Sequence, residues 1–435
     1  MAIKDNLKAV LQPMLTWVLI TGVMYIFTLM ELPLCITNLF FVMMTCLCMY
    51  KLWKENSESR AELVIILLGI LIRLLVCLID IYGTEFITIP FSGDDSLNFY
   101  NTSVEYYYGD TSHVYTNYPY VLNAIYQVAG LNRFAAQYVN ILCWCFCALI
   151  IQKSCYLLKI DKILRIAAVT LCSFLPFNIC ISSILMRDMI VTLSITLTTY
   201  CLLKWMVDGK HINLILGVLA TAPTILIHNC VLAMLGVLVV VTALYSPMKR
   251  KFCIEKKIVL IMLAGLGAVM LVFFVPKLRQ VFLNQIPVSN GGILAAINGR
   301  LEFFYTYSGG STYLMNDYVS SYAELFFGTF KRIAYFLFSP VPTLWRSFSD
   351  IIGFFASASV FVSAIITMIV STFYKQRDAF RTVLFLILFF VSGIFAWGVS
   401  NGGTAMRHRE KILGITILLL LYSIQIIRNV RKGVQ

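Results

Sequence analysis

The chain is expected to be an all-α, polytopic transmembrane helical bundle of about twelve spans, with both termini cytoplasmic and long outward loops. Three observations carry this. Apolar residue types fill 60% of the 435 positions and charged types only 13%, roughly half the charged share of a soluble domain. Apolar runs of about 16 to 22 residues recur along the whole length, each enough to cross a hydrocarbon layer of about 30 Å as a helix. Basic residues fall unevenly on alternate connections between those runs.

Reading from one charged break to the next places spans at 11–30, 33–50, 62–82, 134–151, 166–185 and 187–205. The second half continues with 212–227, 229–245, 258–275, 351–373, 382–400 and 412–427. The first run has no small-residue cleavage site and leads straight into the second, so it is expected to be a retained span. The stretch 212–245 is too long for one crossing, with Lys210 and Lys249 outside its ends; Pro223 and His228 are expected to mark a hairpin between two short spans.

An even number of crossings leaves both termini on one side, and charge decides which. Of the 34 Lys and Arg residues, 22 lie on the termini and one alternate set of connections, 11 lie on the other set, and Arg73 sits within a span. Cytoplasmic connections carry such an excess, so the richer side is the cytoplasm. The net charge of +13 is therefore mostly a topology signal. It gives no support for nucleic acid, which calls for a basic patch on a soluble face. The 13 Cys are scattered through apolar stretches without a Cys-x-x-Cys pair, and Cys143, Cys145 and Cys147, spaced by two, do not share a helix face. Packing is the expected role, not zinc binding or a disulfide framework.

The whole chain, 1–435, reads as a single integral membrane domain. Two long polar segments face outward, 83–133 and 276–350, and together they are the expected cover of a site. Within the second, 324–339 is apolar but short and interrupted by Lys331 and Arg332, which suits an interfacial or re-entrant helix.

Four outward constellations carry candidate chemistry. Ser92-Gly93-Asp94-Asp95-Ser96 offers two adjacent carboxylates that suit a general base or a cation site, since mutual repulsion raises one of their pKa values. The same residues would also serve as a turn capping a helix that begins near Ser96. Nine tyrosines lie between Tyr82 and Tyr126, and no Lys or Arg lies between Gly83 and Asn132. Tyrosine faces suit sugar rings, and also an interfacial aromatic belt.

Arg187-Asp188 stands at an outward helix end, where an Arg opposes the usual charge bias and calls for a partner; a local Arg–Asp pair or a snorkelling Arg is the plain alternative. His228-Asn229 lies at the tip of the hairpin, where a neutral imidazole can take a proton or simply pack. The segment Asn401-Gly402-Gly403-Thr404-Ala405-Met406-Arg407-His408-Arg409-Glu410-Lys411 is the strongest candidate. Forked guanidinium donors beside two glycines can gather round a phosphate. A mere flanking charge cluster would be expected on the inner face. Arg300 and Arg346 are candidate outward partners of this group.

These motifs carry a resemblance. Gly93-Asp94-Asp95 followed by Tyr118-Pro119-Tyr120 and Leu131-Asn132-Arg133, then Leu185-Met186-Arg187-Asp188 running into Thr199-Tyr200 and Leu203-Lys204-Trp205, are among its carriers. Phe338-Ser339-Pro340-Val341-Pro342 and Asn401-Gly402-Gly403-Thr404-Ala405-Met406-Arg407-His408-Arg409 complete them. The chain resembles bacterial oligosaccharide repeat-unit polymerases of O-antigen and capsule assembly (Wzy-like), and more broadly the GT-C membrane glycosyltransferases. The resemblance implies a multi-pass protein of the bacterial plasma membrane that acts on polyprenyl-diphosphate-linked glycans at its outer face. Membrane lipids, a flippase and a chain-length regulator of the same pathway are the implied partners. One departure is plain: GT-C enzymes place their carboxylate loop after the first span, whereas here it follows the third.

Glycosyl transfer from a diphosphate needs cations to stabilise the charge that appears on the leaving group, and Arg187, Arg407, Arg409 and Lys411 are the expected ones, with Arg300 and Arg346. The acceptor hydroxyl needs a base within hydrogen-bond reach; Asp94, Asp95, His228 and His408 are the candidates. A divalent cation, Mg or Mn, is optional at Asp94/Asp95. Two rivals stay open. One is a single-sugar transferase that uses a lipid-phosphate donor. The other is a flippase or transporter of lipid-linked glycans, which would favour charges deep in spans and broken helices.

Overall fold

The computed structural model describes residues 60–112, 116–253, 292–306, 311–346, 348–375 and 377–433, with positions 38, 42, 43, 45–47 and 50. The expected spans 11–30 and 258–275 and most of 33–50 lie outside the described residues, as do 276–291 and 307–310 of the segment 276–350 expected to face outward. The described residues are mostly helical, 79% helix and 2% strand. Among the described residues six helices are long and apolar enough to cross a membrane, or up to seven if a bent pair is one span. The chain is thus a multi-pass membrane protein by the length and composition of its helices.

The residues group into two compact units, one formed from 1–145 and 179–189, the other from 146–178 and 190–435. The first contains α1 (Arg60–Tyr82), α2 (Asp94–Tyr107) and α3 (Tyr118–Ala129). It also takes the first half of α4 (Arg133–Leu157), which continues into the second unit. One stripe of α1 is buried, Glu62, Ile66, Gly69, Ile70, Arg73, Cys77 and Asp80, which follows the alternating three- and four-residue spacing of a packed helix face. The opposite face, with Leu68, Leu71 and Leu75, is exposed and suits lipid. Arg73 sits in the middle of the buried stripe. Its Nε donates to Ser182 Oγ at 2.7 Å and its Nη1 to the Gly69 carbonyl at 3.1 Å, with the Trp144 ring 3.6 Å from the guanidinium carbon.

In the segment 83–133, α2 and α3 pack as a helical pair whose seam is aromatic: Tyr106 against Tyr120 at 4.5 Å, Tyr100 against Tyr126 at 6.5 Å and Phe99 against Tyr118 at 5.1 Å. The tyrosines therefore divide. Tyr106, Tyr118 and Tyr126 are core, while Tyr82, Tyr108 and Tyr120 face out.

In the second unit begins the run expected as a single span at 166–185, which is broken and whose residues from 179 onward belong to the first unit. Helices α5 (Lys162–Phe174) and α6 (Pro176–Ser183) meet at an angle of 54°, because Pro176 supplies no amide hydrogen and holds the preceding residue extended. Then come α7 (Asp188–Asp208), α8 (His211–Ile225) and α9 (Leu232–Leu244), the last two joined by a turn at Asn229–Val231 and packed on each other. The expected break between two short apolar helices falls at 226–228, with His228 at the start of the turn, whereas Pro223 lies inside α8 two residues before its end. Threonines bind α7 to α8: Thr198 Oγ1 lies 2.7 Å from Thr221 Oγ1 and donates to the Gly217 carbonyl at 3.2 Å.

Downstream follow α10 (Gly292–Thr306), α11 (Tyr322–Phe338), α12 (Asp350–Tyr374), α13 (Ala379–Trp397) and α14 (Gly402–Arg431). The centre of this unit is α14, buried on nearly all sides. It lies close enough to its neighbours that a side chain at Gly414 would meet Ile151 Cδ1 at 3.0 Å and Thr196 Oγ1 at 3.4 Å. Two departures from the sequence reading bear on function. The last span begins ten residues before the expected 412, at Gly402, so the charged segment is helical. And α12 widens into one π-helical turn at Phe354–Ala358, a device that re-aims side chains and is frequent at functional sites.

Candidate functional site

The site is built at the start of α14. Asn401 caps the helix, its Oδ1 accepting from the Gly403 and Thr404 amides at 2.9 and 3.4 Å. A short bridge between Thr312 and Asn401 holds the incoming chain, with the Gly402 amide donating to the Ser311 carbonyl at 3.0 Å and the Tyr313 amide to that of Ser400 at 2.9 Å. Successive helical residues point about 100° apart, so Arg407 to Lys411 reach different neighbours.

Lys411 reaches the hairpin. Its Nζ lies 3.0 Å from His228 Nε2 and 2.8 Å from His408 Nδ1, and 5.3 Å from the centroid of Phe395. An ammonium has only hydrogens to give, so the two facing imidazole nitrogens accept. The rings of His228, His408 and Phe395 stand at mutual centroid distances of 5.4 Å. All three charged or titratable members are buried: Lys411 is 1% exposed and each His 8%.

Arg409 and Glu410 face α11 and α12. Arg409 Nε donates to Ser357 Oγ at 2.8 Å, and its Nη1 donates to the Leu337 carbonyl at 3.1 Å and to the Ser339 carbonyl. It thereby satisfies carbonyls left over at the end of α11. Ser357, on the π turn, passes its own hydrogen to Glu410 Oε1 at 2.9 Å, and the Asn178 side chain also bonds Glu410. Arg409 Nη2, Glu410 Oε2 and Ser339 Oγ are buried without a hydrogen-bond partner among the described residues. Arg407 is half-buried.

A second cationic centre closes the same end of the unit. Arg332 on α11 is fully buried; its Nη2 donates to Tyr305 Oη at 3.1 Å and the Asp317 carbonyl at 2.8 Å, and pairs with Asp317 Oδ2 at 3.2 Å. Its guanidinium lies 4.4 Å from the Trp397 ring centroid. Tyr313, buried beside Arg332 and Arg409, has its phenol pushed above the ordinary range by burial, so it stays a donor. Of the other expected cations, Arg300 is exposed on α10 with its guanidinium 4.6 Å from the Phe304 ring, and Arg346 is exposed before α12.

The remaining candidates belong to the first unit. Arg187 is half-buried at the corner before α7, with its guanidinium 5.7 Å from the Phe99 ring. The corner is fixed by Asn140, whose Nδ2 donates to the Ile184 and Met186 carbonyls at 2.7 and 2.8 Å, and by Tyr118 Oη donating to Met186 O at 3.2 Å. Burial holds the Tyr118 phenol well above its ordinary pKa. Asp94 and Asp95 open the first turn of α2 after Gly93, which makes no side-chain cap. There the free amides and the helix dipole favour carboxylates. The Asp94 side chain lies outside what the structure describes. Among the described residues no group of three or more His, Cys, Asp or Glu has the arrangement of a metal site.

The structure thus joins His228, His408 and Lys411, and links Arg409 to Glu410 through Ser357. Sequence reading missed Glu410 and Ser357. Glu410 was visible inside the basic run, but a serine buried on a π turn leaves no sequence signal. No protein-family model, no curated protein and no solved structure matches the chain.

Proposed function

We propose that the protein is a membrane glycosyltransferase of the repeat-unit polymerase type, acting on polyprenyl-diphosphate-linked oligosaccharides at the outer face of the bacterial plasma membrane to build a surface polysaccharide. In this reading the chain crosses about twelve times with both termini in the cytoplasm. One observation carries it: Arg407, Arg409 and Lys411 fall within little more than one turn near the start of a 30-residue apolar helix, where burying cations is costly without an anion to repay it. A hydrocarbon layer takes up about 20 helical residues. Counting that many back from the basic C-terminal end of α14 at Arg428 brings the run 407–411 to the outer boundary of the membrane, where a lipid-linked diphosphate lies. The leaving diphosphate would be met by Arg407 and Lys411, with His228 or His408 as a candidate base; Arg187, Asp94 and Asp95 are the candidates that the first unit carries. Mg or Mn at Asp94/Asp95 stays optional in this scheme.

A second reading, a flippase or transporter for the same glycans, is favoured by the 54° break between α5 and α6 and by Arg73 buried mid-span, both features of helices that line a path. The glycan profile of a deletion strain separates the readings. Loss of long chains with one complete lipid-linked unit accumulating on the outer face is the expected outcome. Accumulation on the inner face means transport, a truncated unit means single-sugar transfer, and an unchanged profile removes the whole assignment.

A further inference from the structure

We propose that Glu410 is the carboxylate that takes the proton from the acceptor hydroxyl, a role that rests on the transferase reading above. Along the first turns of α14, Gly403, Thr404, Met406 and Arg407 are the positions that stay partly open, whereas Gly402, Ala405 and every residue from 408 to 423 are buried. Glu410 lies three residues after Arg407 and Lys411 four, so both continue that open strip one turn deeper. A molecule entering along the strip passes the bare backbone of Gly403, then Arg407, and meets Glu410 and Lys411 as the floor.

The carboxylate at that floor is held but not used up. Oε1 accepts from Ser357 Oγ at 2.9 Å, while Oε2 is buried with no hydrogen-bond partner among the described residues. A buried carboxylate oxygen left bare costs stability unless something else gives it a hydrogen. The acceptor sugar hydroxyl is such a donor. Asp94 and Asp95 stand in the other compact unit, at a helix start where carboxylates need no further explanation.

The step balances without a metal. The acceptor oxygen forms its bond to the anomeric carbon as the bond from that carbon to the diphosphate oxygen breaks. The bonding pair leaves on the diphosphate, facing Arg407 and Lys411, and the hydroxyl proton passes to Glu410 Oε2. Arg409 does not belong to this chemistry; two of its nitrogens are spent on Ser357 and backbone carbonyls.

The test uses purified full-length protein added to membranes of the deletion strain, whose accumulated lipid-linked unit is the substrate, with polymer read on a gel. Glu410→Gln is expected to lower the rate by about 100-fold or more, the range of a lost general base, at unchanged abundance and thermal midpoint. Ser357→Ala removes the Arg409–Ser357–Glu410 link but leaves the carboxylate, and is expected to stay within about 10-fold of wild type. Equal losses in the two variants would make Glu410 a structural link and overturn the proposal, as would near-normal turnover by Glu410→Gln. If Glu410→Gln does not accumulate, Glu410→Asp takes its place: normal abundance with slow turnover upholds the role, and loss of fold in both overturns it. A wild-type protein that makes no polymer in this assay sinks the transferase reading itself, a result distinct from any difference among the variants.

Discussion

Lys411 Nζ lies 3.0 Å from His228 Nε2 across 183 residues of sequence, so the tip of the α8–α9 hairpin is tied to the first turns of the last helix by one buried ammonium. The tie needs an acceptor at residue 228. His228→Leu keeps apolar volume against Phe395 and removes that acceptor, which should cost about 1–3 kcal/mol, the range for a buried donor deprived of its partner. His228→Gln, which restores an acceptor, should recover part of the loss. Thermal unfolding in detergent checks both; equal stability of the Leu variant and wild type would mean that the ammonium finds its partners elsewhere.

Two neighbouring arginines should behave differently although sequence gives them the same role. Arg409 is fully buried and donates to Ser357 and to the carbonyls that end α11, so Arg409→Lys, with a point charge in place of a fork, is expected to lower folded protein in the membrane. Arg407 is half-buried on the open strip. Arg407→Ala is expected to leave abundance within about two-fold, as for a substitution outside the packed core, while abolishing long-chain polymer. Immunoblotting beside glycan gels measures both, and polymer retained by Arg407→Ala would remove the anion role.

How far the sequence could be read follows from what each segment needs. The spans at 62–82, 134–151, 187–205, 351–373 and 382–400 all correspond to helices with ends a few residues displaced, because a run of apolar residues at membrane length has few other structures to adopt. The start of the last span was not legible. Arg407 to Lys411 interrupt the apolar run at a point where the helix continues, and it continues because Ser357, Leu337, Ser339 and His228, distant in sequence, receive the charged side chains. The tyrosine-rich segment was legible as aromatic but not as a seam, since only the pairing of α2 with α3 decides which rings are buried. The cationic character of the site was read from its residues, whereas its carboxylate was not, because Glu410 gains its meaning from a serine 53 positions away.

Acid should loosen the start of α11. The Ser321 hydroxyl accepts from the Glu324 amide at 3.2 Å, while the Ser320 amide donates to Glu324 Oε2 at 2.8 Å, a reciprocal cap. These hydrogen bonds, led by the Ser320 amide, hold the Glu324 carboxyl below the usual glutamate range. A lowered folded-state pKa means that the stabilisation is present above the unfolded value of about 4.3 and is lost as pH falls through the folded value. Amide exchange at residues 324–326 should therefore show more opening at acidic pH than its intrinsic rate predicts, and Glu324→Gln should flatten that dependence. A wild-type profile in the variant would mean that the cap holds without the charge.

In the first unit, Asp80 near the end of α1 and Arg133 at the start of α4 form an ion pair at 3.0 Å, the carboxylate 1% and the guanidinium 20% exposed. Gln137 Nε2 adds a 2.6 Å bond to the same oxygen, and Cys77 Sγ donates to Gln137 Oε1 at 3.0 Å. Desolvating both charges offsets much of their attraction, so the pair adds little net stability, yet removing one member strands the other. Arg133→Met is thus expected to destabilise by about 3–5 kcal/mol, and Asp80→Leu by a similar amount. The double variant Asp80→Leu/Arg133→Met should lie close to wild type, because nothing charged is left to strand, and the cycle measures the coupling directly. Additive losses in the double variant would show that the two side chains contribute independently, leaving Gln137 and Cys77 to hold α1 on α4.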